Sequence, residues 1–252
     1  MYGGELIHQT SDSYGSIEVI DYQGVIRSMH FGNKTQQSAS LLCNPFFLVH
    51  KYAQAMLLPL CWQHPSRVLV LGLGSGSIVK YLYNYFQDIN IDTIELRKKV
   101  IDIASQYFCL PDPDNRLTIY NESIDEWLNR ENICKKYDLV LVDVFLTSST
   151  GKDITVDVSE QLDKIAGLLT DNGIIVFNQL GSDYHLYPGF NPIFKKFKNH
   201  LYSIDVKSAN SILIASKSNI PDEIEESIFE EMQSRYSLPC REYFNALTPV
   251  KR

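Results

Sequence analysis

The chain has 252 residues, and its 44% hydrophobic content is ordinary for a protein that folds around its own core. The formal net charge is −7 and no lysine or arginine run is present, which argues against nucleic-acid or anionic-membrane binding and favours a cationic substrate. The five cysteines form no Cys-x-x-Cys pair and the six histidines show no metal-ligand spacing, so we expect reduced thiols and no metal. Without a signal-peptide pattern or a membrane-spanning apolar run, the sequence predicts a cytoplasmic protein.

The amino-terminal part contains two β-rich segments, residues 16–22 and 25–31, joined through Gly24. Glycine adopts the positive backbone angle that a tight turn requires, so this pattern predicts a β-hairpin. A helix is predicted next, over residues 45–62, with Phe46, Val49, Met56 and Leu57 on its buried side.

Residues 67–77, Arg-Val-Leu-Val-Leu-Gly-Leu-Gly-Ser-Gly-Ser, form a buried apolar run that ends in three alternating glycines. The pattern predicts a parallel strand followed by a tight turn that faces a ligand. Gly72 and Gly74 would let the main chain approach a bound group, and Gly76 would let the next helix pack close to the strand. The following strand, residues 91–95, ends in Glu95, about twenty residues beyond the glycines, where a carboxylate can bind a ribose diol.

The glycine spacing also discriminates between nucleoside cofactors. A dinucleotide fingerprint, G-x-G-x-x-G, would require a small third residue at position 77, where this chain has Ser77, whereas its third glycine is Gly76. The spacing G-x-G-x-G therefore favours an S-adenosylmethionine-type nucleoside over NAD.

The rest of the main domain alternates predicted strands with predicted helices, which implies a parallel sheet. The predicted strands are 117–120, 137–144 and 173–178, and the helices are 101–108, 124–128 and 157–169. A basic helix at 194–199 and an antiparallel strand pair, 201–207 and 211–216, close the pattern. The predicted fold class is therefore α/β, with the seven-stranded, Rossmann-type sheet of methyltransferases and a small amino-terminal β region.

The element order predicts three parts of the chain. Residues 1–43 form the β-hairpin region, residues 44–220 the nucleoside-binding α/β domain, and residues 221–252 a helical extension. The extension begins with an acidic helix over residues 221–236, which we interpret as a solvated face rather than a ligand site.

Several motifs together resemble the spermidine synthase (polyamine aminopropyltransferase) family over residues 12–217. They are Phe31-Gly32 followed by Gln36-x-Ser38, the glycine turn, Glu95, the Phe108–Pro111 segment and an acid at the end of the fourth strand. The chain is most similar to a spermidine synthase-like branch that keeps the nucleoside-binding frame and alters the polyamine site.

The resemblance implies a role for particular residues. Gln36 would contact the thioether region of the nucleoside and Glu95 the ribose. Glu122 and Ser123 stand where the family has an adenine-contacting aspartate. Asp143 corresponds to the catalytic aspartate of the family.

Three departures from the family pattern concern the polyamine site. Ser75 replaces the aspartate that holds the cationic aminopropyl end of decarboxylated S-adenosylmethionine, and Leu146 replaces the second acid of the Asp-x-x-Asp loop. The Tyr-His-Glu segment of the family is missing around residues 47–51. Loss of these acids predicts weak binding of ordinary diamines and less discrimination against undecarboxylated S-adenosylmethionine.

Asp143 is also a candidate from its position alone, because ligands bind at the carboxyl ends of the strands in open α/β sheets. There it can act as a base or bind the acceptor, or it can simply cap the following loop. Further candidates for the acceptor pocket are Asn178, Gln179, Tyr184 and His185.

Other polar residues near these elements have simpler interpretations. His50 is interpreted as a partly buried structural histidine, and Asp153 and Asp157 as residues of a solvated loop at the site entrance. The segment 147–151 is predicted to be a mobile lid.

The leading functional hypothesis is transfer of an aminopropyl group to a small amine, with decarboxylated S-adenosylmethionine or S-adenosylmethionine as co-substrate. One alternative is a methyltransferase acting on a small molecule, favoured by Ser75. Another is a nucleoside-binding protein without catalysis, favoured by the missing acceptor acids. The oligomeric state stays open, with a homodimer as one option.

Overall fold

The computed structural model describes residues 3–131, 133–147, 153–181, 183–186, 189–206 and 210–251. The strands, in chain order, are β1 (Glu5–Asp12), β2 (Gly15–Tyr22), β3 (Ile26–His30), β4 (Ser38–Leu41), β5 (Arg67–Leu71), β6 (Asn90–Ile94), β7 (Leu117–Tyr120), β8 (Tyr137–Val142), β9 (Phe145–Thr147), β10 (Asp153–Thr155), β11 (Leu169–Leu180), β12 (Leu201–Val206), β13 (Asn210–Ser216) and β14 (Thr248–Pro249). The α-helices are α1 (Lys51–Met56), α2 (Ser77–Tyr85), α3 (Lys98–Phe108), α4 (Ile124–Leu128), α5 (Leu162–Gly167), α6 (Phe190–Phe197), α7 (Glu226–Tyr236) and α8 (Cys240–Asn245).

The main sheet is the α/β sheet that the alternating pattern predicts, with one additional short strand. Its order is β14-β12-β13-β11-β8-β5-β6-β7, in which β11, β8, β5, β6 and β7 run parallel and β13 and β12 are antiparallel to their neighbours. The predicted count of seven was therefore one short. The eighth strand, β14, is two residues long and pairs with Tyr202 and Ser203, because the chain returns along the exposed edge of β12 after α8.

The strand order reverses at β5, which lies between β8 and β6. At such a switch point the helices that follow neighbouring strands pack on opposite faces of the sheet and leave a crevice at the carboxyl ends of the strands. Backbone hydrogen bonds hold this region together, because Gly72 donates to the Ile94 oxygen at 2.9 Å and Asp143 donates to the Leu71 oxygen at 2.9 Å. The turn after β5 and the ends of β6 and β8 therefore meet at one place.

The amino-terminal region is a four-stranded antiparallel sheet, β1-β2-β3-β4, and not the single hairpin expected from the sequence. The predicted hairpin is present as β2 and β3, and Gln23 and Gly24 both have positive φ values, of 53° and 65°. The sequence analysis missed β1 because its side chains alternate only between exposed and half-buried positions, without a hydrophobic face. It missed β4 because that strand has only four residues, Ser-Ala-Ser-Leu.

The helix predicted over residues 45–62 is shorter and broken. It consists of α1 and a separate 3-10 turn, Leu58–Cys61, preceded by irregular backbone. Pro59 has no N–H to donate to the carbonyl of Ala55, so the α-helical hydrogen-bond pattern cannot continue through it. Before α1, the side-chain amide of Gln54 donates to the Leu48 oxygen at 2.7 Å and holds the chain in an extended path.

Several other predicted boundaries were also displaced. The chain becomes helical only at Leu162, since the Asp157 carboxylate accepts from the Ser159 N–H at 2.8 Å and stabilises a turn there. The acidic helix begins at Glu226, and the basic helix lies earlier than predicted, as α6. The predicted 137–144 strand ends at Val142 and is followed by the hairpin of β9 and β10. Most of the predicted lid, residues 148–151, lies outside the described residues.

Candidate active site

A cavity of about 270 Å³ opens at the carboxyl ends of β5, β6 and β8. The residues that follow these three strands, Gly72, Glu95 and Asp143, all line it. Further lining comes from the segment before α1, the start of α4 and the chain after β10. The cavity therefore lies at the switch point of the sheet, where ligands bind in open α/β folds.

Two glycines of the turn after β5 are required by close contacts. Gly72 has a φ of +92°, and a Cβ there would lie 2.2 Å from the backbone oxygen of Asp143. Gly76 has a φ of +74°, and a Cβ there would lie 2.6 Å from Cδ1 of Leu110. Gly72 thus lets the turn touch the end of β8, and Gly76 lets α2 pack closely.

Glu95 is positioned by backbone groups on both sides. Its carboxylate accepts from the Leu73 N–H at 3.1 Å and from the Arg97 N–H at 2.8 Å. Burial raises the pKa of Glu95 above its usual value, and these backbone hydrogen bonds oppose the shift. An ionised carboxylate has about four lone-pair sites, so Glu95 can still accept hydrogen bonds from a ligand in the cavity.

Glu122 and Ser123 both line the cavity at the start of α4. The Ser123 hydroxyl caps this helix by accepting from the Glu126 N–H at 3.1 Å, and the Glu126 carboxylate accepts from the Ser123 N–H at 2.9 Å. Glu122 forms an ion pair with Arg130 at 2.6 Å. Asp125, which sequence reasoning did not select, lines the same wall.

Asp143 is held by two polar side chains. Asn178 donates to its Oδ1 at 2.8 Å, and Tyr52 hydrogen-bonds to the carboxylate. Burial raises the pKa of Asp143 to about 6, although both hydrogen bonds lower it. The Tyr52 hydroxyl also lies 3.5 Å from the backbone oxygen of Gln37. The pKa of this carboxylate is therefore close to neutral pH, where the group can both accept and release a proton.

Three predicted cofactor residues do not reach the cavity. Gln36 is exposed, and its neighbour Gln37 lines the cavity instead. The side chain of Ser75 is fully buried, with its hydroxyl 3.0 Å from that of Ser77, so it faces the protein interior. Gly76 lies at the first turn of α2 and packs against Leu110, away from the lining.

The proposed acceptor residues, of which two lie at the end of β11 and two after it, are also not in the lining. Asn178 is buried and donates a hydrogen bond to the Asp143 carboxylate, and Gln179 is buried next to it. Tyr184 and His185 pack against Phe190, with ring centroids 5.4 and 4.8 Å away. Asp157 does line the cavity and is exposed, whereas the side chain of Asp153 lies outside the description.

Three lining residues were missed or underestimated by sequence reasoning: Gln37, His50 and Tyr52. His50, interpreted from the sequence as a partly buried structural histidine, is half-buried and also lines the cavity, and its buried Nε2 has no hydrogen-bond partner among the described residues. Gln37 lies on irregular backbone before β4, His50 precedes α1 and Tyr52 lies in its first turn, so no continuous periodicity marks the three residues.

The arrangement defines a class of protein: an α/β fold in which a glycine turn and a strand-end acid line one cavity at the switch point, with a second carboxylate beside them. Among the described residues no group of three or more candidate metal ligands occurs, and no helix has the length and apolarity to cross a membrane. No family model matches the chain.

Individual proteins give a closer comparison. The polyamine aminopropyltransferase of Chromobacterium violaceum is 24% identical over 238 residues, which cover 90% of this chain and 88% of the relative. A spermidine synthase crystallised with the transition-state analogue AdoDATO has a TM-score of 0.70 at 13% identity, covering 98% of this chain and 85% of that one. Human methyltransferase-like protein 13, in complex with SAH, has a TM-score of 0.59 at 20% identity, covering 81% and 95%. The chain is therefore similar in sequence to polyamine aminopropyltransferases and has the fold of spermidine synthases, in agreement with the resemblance that its motifs indicate.

Proposed function

We propose that the protein is a spermidine synthase-like aminopropyltransferase that uses a co-substrate related to S-adenosylmethionine and a small amine acceptor. The observation that carries the proposal is the position of Asp143, which follows β8 with its backbone against Gly72 of the glycine turn and lines the same cavity as Gly72 and Glu95. The relatives and the AdoDATO-bound spermidine synthase support this function over the methyltransferase and the non-catalytic alternatives.

The nucleoside half of the co-substrate fits the side of the cavity that Glu95 and the glycine turn form. Glu95 would accept hydrogen bonds from the ribose hydroxyls, and such charge-assisted bonds contribute roughly 1.5–3 kcal/mol each. Gly72 and Gly74 would contact the adjacent atoms through their backbone, and residues 122–125 would lie against the base. Gln37 takes the place that the sequence assigned to Gln36.

The charges in the cavity favour the decarboxylated co-substrate. Arg97 is the one lysine or arginine side chain among the described lining residues, and its guanidinium is occupied by Asp12, at 2.9 and 3.0 Å, and by the Gly15 oxygen. A free carboxylate on the co-substrate would therefore lack a cationic partner and would be repelled by Asp143. The aminopropyl ammonium of the decarboxylated form meets neither penalty.

The chemistry is a displacement at the carbon bonded to the sulfonium. The lone pair of the acceptor nitrogen forms the new N–C bond, and the S–C bond breaks with its electron pair going to sulfur. The products are an aminopropylated amine and neutral methylthioadenosine. The acceptor must lose a proton, and Asp143, held by Asn178 and Tyr52, is the group beside the cavity floor that can take it.

The reaction products distinguish the proposed activity from methyl transfer. We expect the purified protein to release methylthioadenosine from decarboxylated S-adenosylmethionine in the presence of an amine. A methyltransferase would instead release S-adenosylhomocysteine from S-adenosylmethionine. Chromatography of both incubations with a panel of amines measures the two products together. The formation of S-adenosylhomocysteine alone, or of neither product, would overturn the proposal.

A further inference from the structure

The part of the cavity around Asp143 is poor in charge. Tyr52 contacts Asp143, and His50 stacks on Tyr52 with ring centroids 5.5 Å apart, so these residues define the acceptor side. The other lining residues next to them in the chain are apolar: Leu48, Val49, Val144 and Phe145. Among these described residues, Asp143 therefore supplies the negative charge.

The remaining described carboxylates of the cavity have hydrogen-bond or ion-pair partners of their own. Glu95 is bound to backbone N–H groups at the glycine turn, and Glu122 is paired with Arg130. Asp125 accepts from the Gln161 side chain at 2.7 Å. Asp157 is exposed and caps the turn at Ser159.

His50 offers a neutral contact on the acceptor side. Burial lowers the pKa of its ring, so the imidazole is uncharged at neutral pH. Its buried Nε2 has no partner among the described residues, and an unsatisfied buried polar atom costs about 1–3 kcal/mol. A polar but uncharged ligand atom at this nitrogen would remove that cost. An ammonium group would be desolvated there without any carboxylate to compensate it.

We propose that the acceptor is a monocation: its one ammonium group binds Asp143, and its other end carries a neutral hydrogen-bonding group that contacts His50. Aliphatic amino alcohols have this chemistry, whereas diamines with two ammonium groups do not. The inference rests on the proposed aminopropyl transfer and specifies its acceptor class.

A comparison of three acceptors of equal chain length tests the inference: 4-aminobutan-1-ol, butylamine and 1,4-diaminobutane, each with its propyl and pentyl homologues. The measured quantity is kcat/KM for methylthioadenosine release from decarboxylated S-adenosylmethionine. We expect the amino alcohol to exceed the diamine by roughly tenfold or more, because only the diamine brings a second, uncompensated charge. Butylamine should lie between them.

Two variants of nearly equal shape isolate the charge at position 50. His50→Glu places a carboxylate on the acceptor side and should move the preference toward the diamine by roughly 10–100-fold. His50→Gln keeps the site neutral and should retain the amino alcohol preference. Thermal unfolding measures whether each variant is folded, and methylthioadenosine binding measures whether the nucleoside half of its site is intact.

The outcomes separate this inference from the proposed function. A wild-type preference for the diamine would overturn the inference and leave aminopropyl transfer standing. An equal shift in both variants would remove His50 from acceptor recognition. If no amine in the panel releases methylthioadenosine while the nucleoside still binds, the proposed function fails, and the inference fails with it.

Discussion

The two halves of the cavity differ in how their polar groups are satisfied. On the nucleoside side, Glu95 accepts backbone hydrogen bonds, Ser123 closes a helix cap and Arg97 is held by Asp12. On the acceptor side, the buried Nε2 atom of His50 has no partner among the described residues. The first half is a rigid, prearranged site, whereas the second completes its hydrogen bonds only when a ligand arrives.

The carboxylates show the same difference. Glu95 lies among backbone N–H groups that oppose the rise of its pKa, whereas Asp143 has two side-chain partners and a pKa near 6. A carboxylate that only binds is best kept ionised, and one that exchanges a proton works best with a pKa near the operating pH. In the proposed function, nucleoside binding and proton transfer are thus separated between the ends of β6 and β8, which lie on either side of β5.

The largest expected effect is on turnover, from a variant that changes only the acceptor side of the cavity. Asp143→Asn keeps size and polarity but removes the charge and the proton acceptor, so turnover should fall by about 10²–10⁴-fold. Steady-state kinetics measures the loss, and calorimetry with methylthioadenosine should show little change in affinity. An equal loss of nucleoside affinity would move Asp143 to the nucleoside half.

The same variant carries a stability expectation with a definite sign. The pKa of Asp143 is raised from its ordinary value of 3.8 to about 6 in the folded state. The unfolding free energy of the wild type therefore falls as the pH rises through the range between these two values. Asn cannot ionise, so this part of the pH dependence should vanish in denaturant titrations above and below that range. An unchanged pH dependence in the variant would show that burial does not raise this pKa.

The next largest effect is on the free energy of unfolding, from a variant that disturbs the close approach of Gly72 to the backbone of Asp143. Gly72→Ala introduces a strained φ and a Cβ 2.2 Å from the Asp143 oxygen, whereas Gly181, with a φ of +95°, has no atom within 4 Å of the corresponding Cβ. Both variants carry the backbone strain, so Gly72→Ala should be less stable than Gly181→Ala by about 2–4 kcal/mol. Urea denaturation of both measures the difference. Equal destabilisation would mean that the close approach at Gly72 is not required.

A moderate effect on nucleoside affinity is expected from a variant that changes only the nucleoside side of the cavity. Glu95→Gln removes the charge that strengthens hydrogen bonds from ribose hydroxyls, so the affinity for methylthioadenosine should fall by roughly 1–3 kcal/mol. The control is Asp102→Asn, an exposed helical carboxylate paired with Lys98 outside the cavity lining. If the two variants bind methylthioadenosine equally well, Glu95 is not the ribose contact.

The smallest expected effect is a shift in the pKa of Asp143. The activity should fall below a pH of about 6 as this carboxylate becomes protonated. Tyr52 lowers the pKa through its hydrogen bond, so Tyr52→Phe should move the acidic limb of kcat/KM upward by about half a pH unit to one unit. A limb that stays in place would show that Tyr52 does not act through Asp143.

Sequence reasoning was most successful where local patterns carry the structure. The glycine spacing and the alternation of apolar strands with helices predicted the parallel sheet, and Gly72, Glu95 and Asp143 all reach one cavity as expected from the ends of its strands. It was less successful for Gln36 and Ser75, because a shift of one residue on irregular backbone turns a side chain from the cavity to solvent or to the interior.

By itself, the sequence determined the α/β class, the glycine turn with its strand-end acid and the place of the catalytic candidate, because hydrophobic periodicity and glycine geometry act over a few neighbouring residues. Only the tertiary structure decided that Gln37, His50 and Tyr52 line one cavity with Asp143, since it joins segments up to about a hundred residues apart in the chain. The charge of the acceptor side likewise depends on which carboxylates find partners, and those partners come from distant parts of the chain.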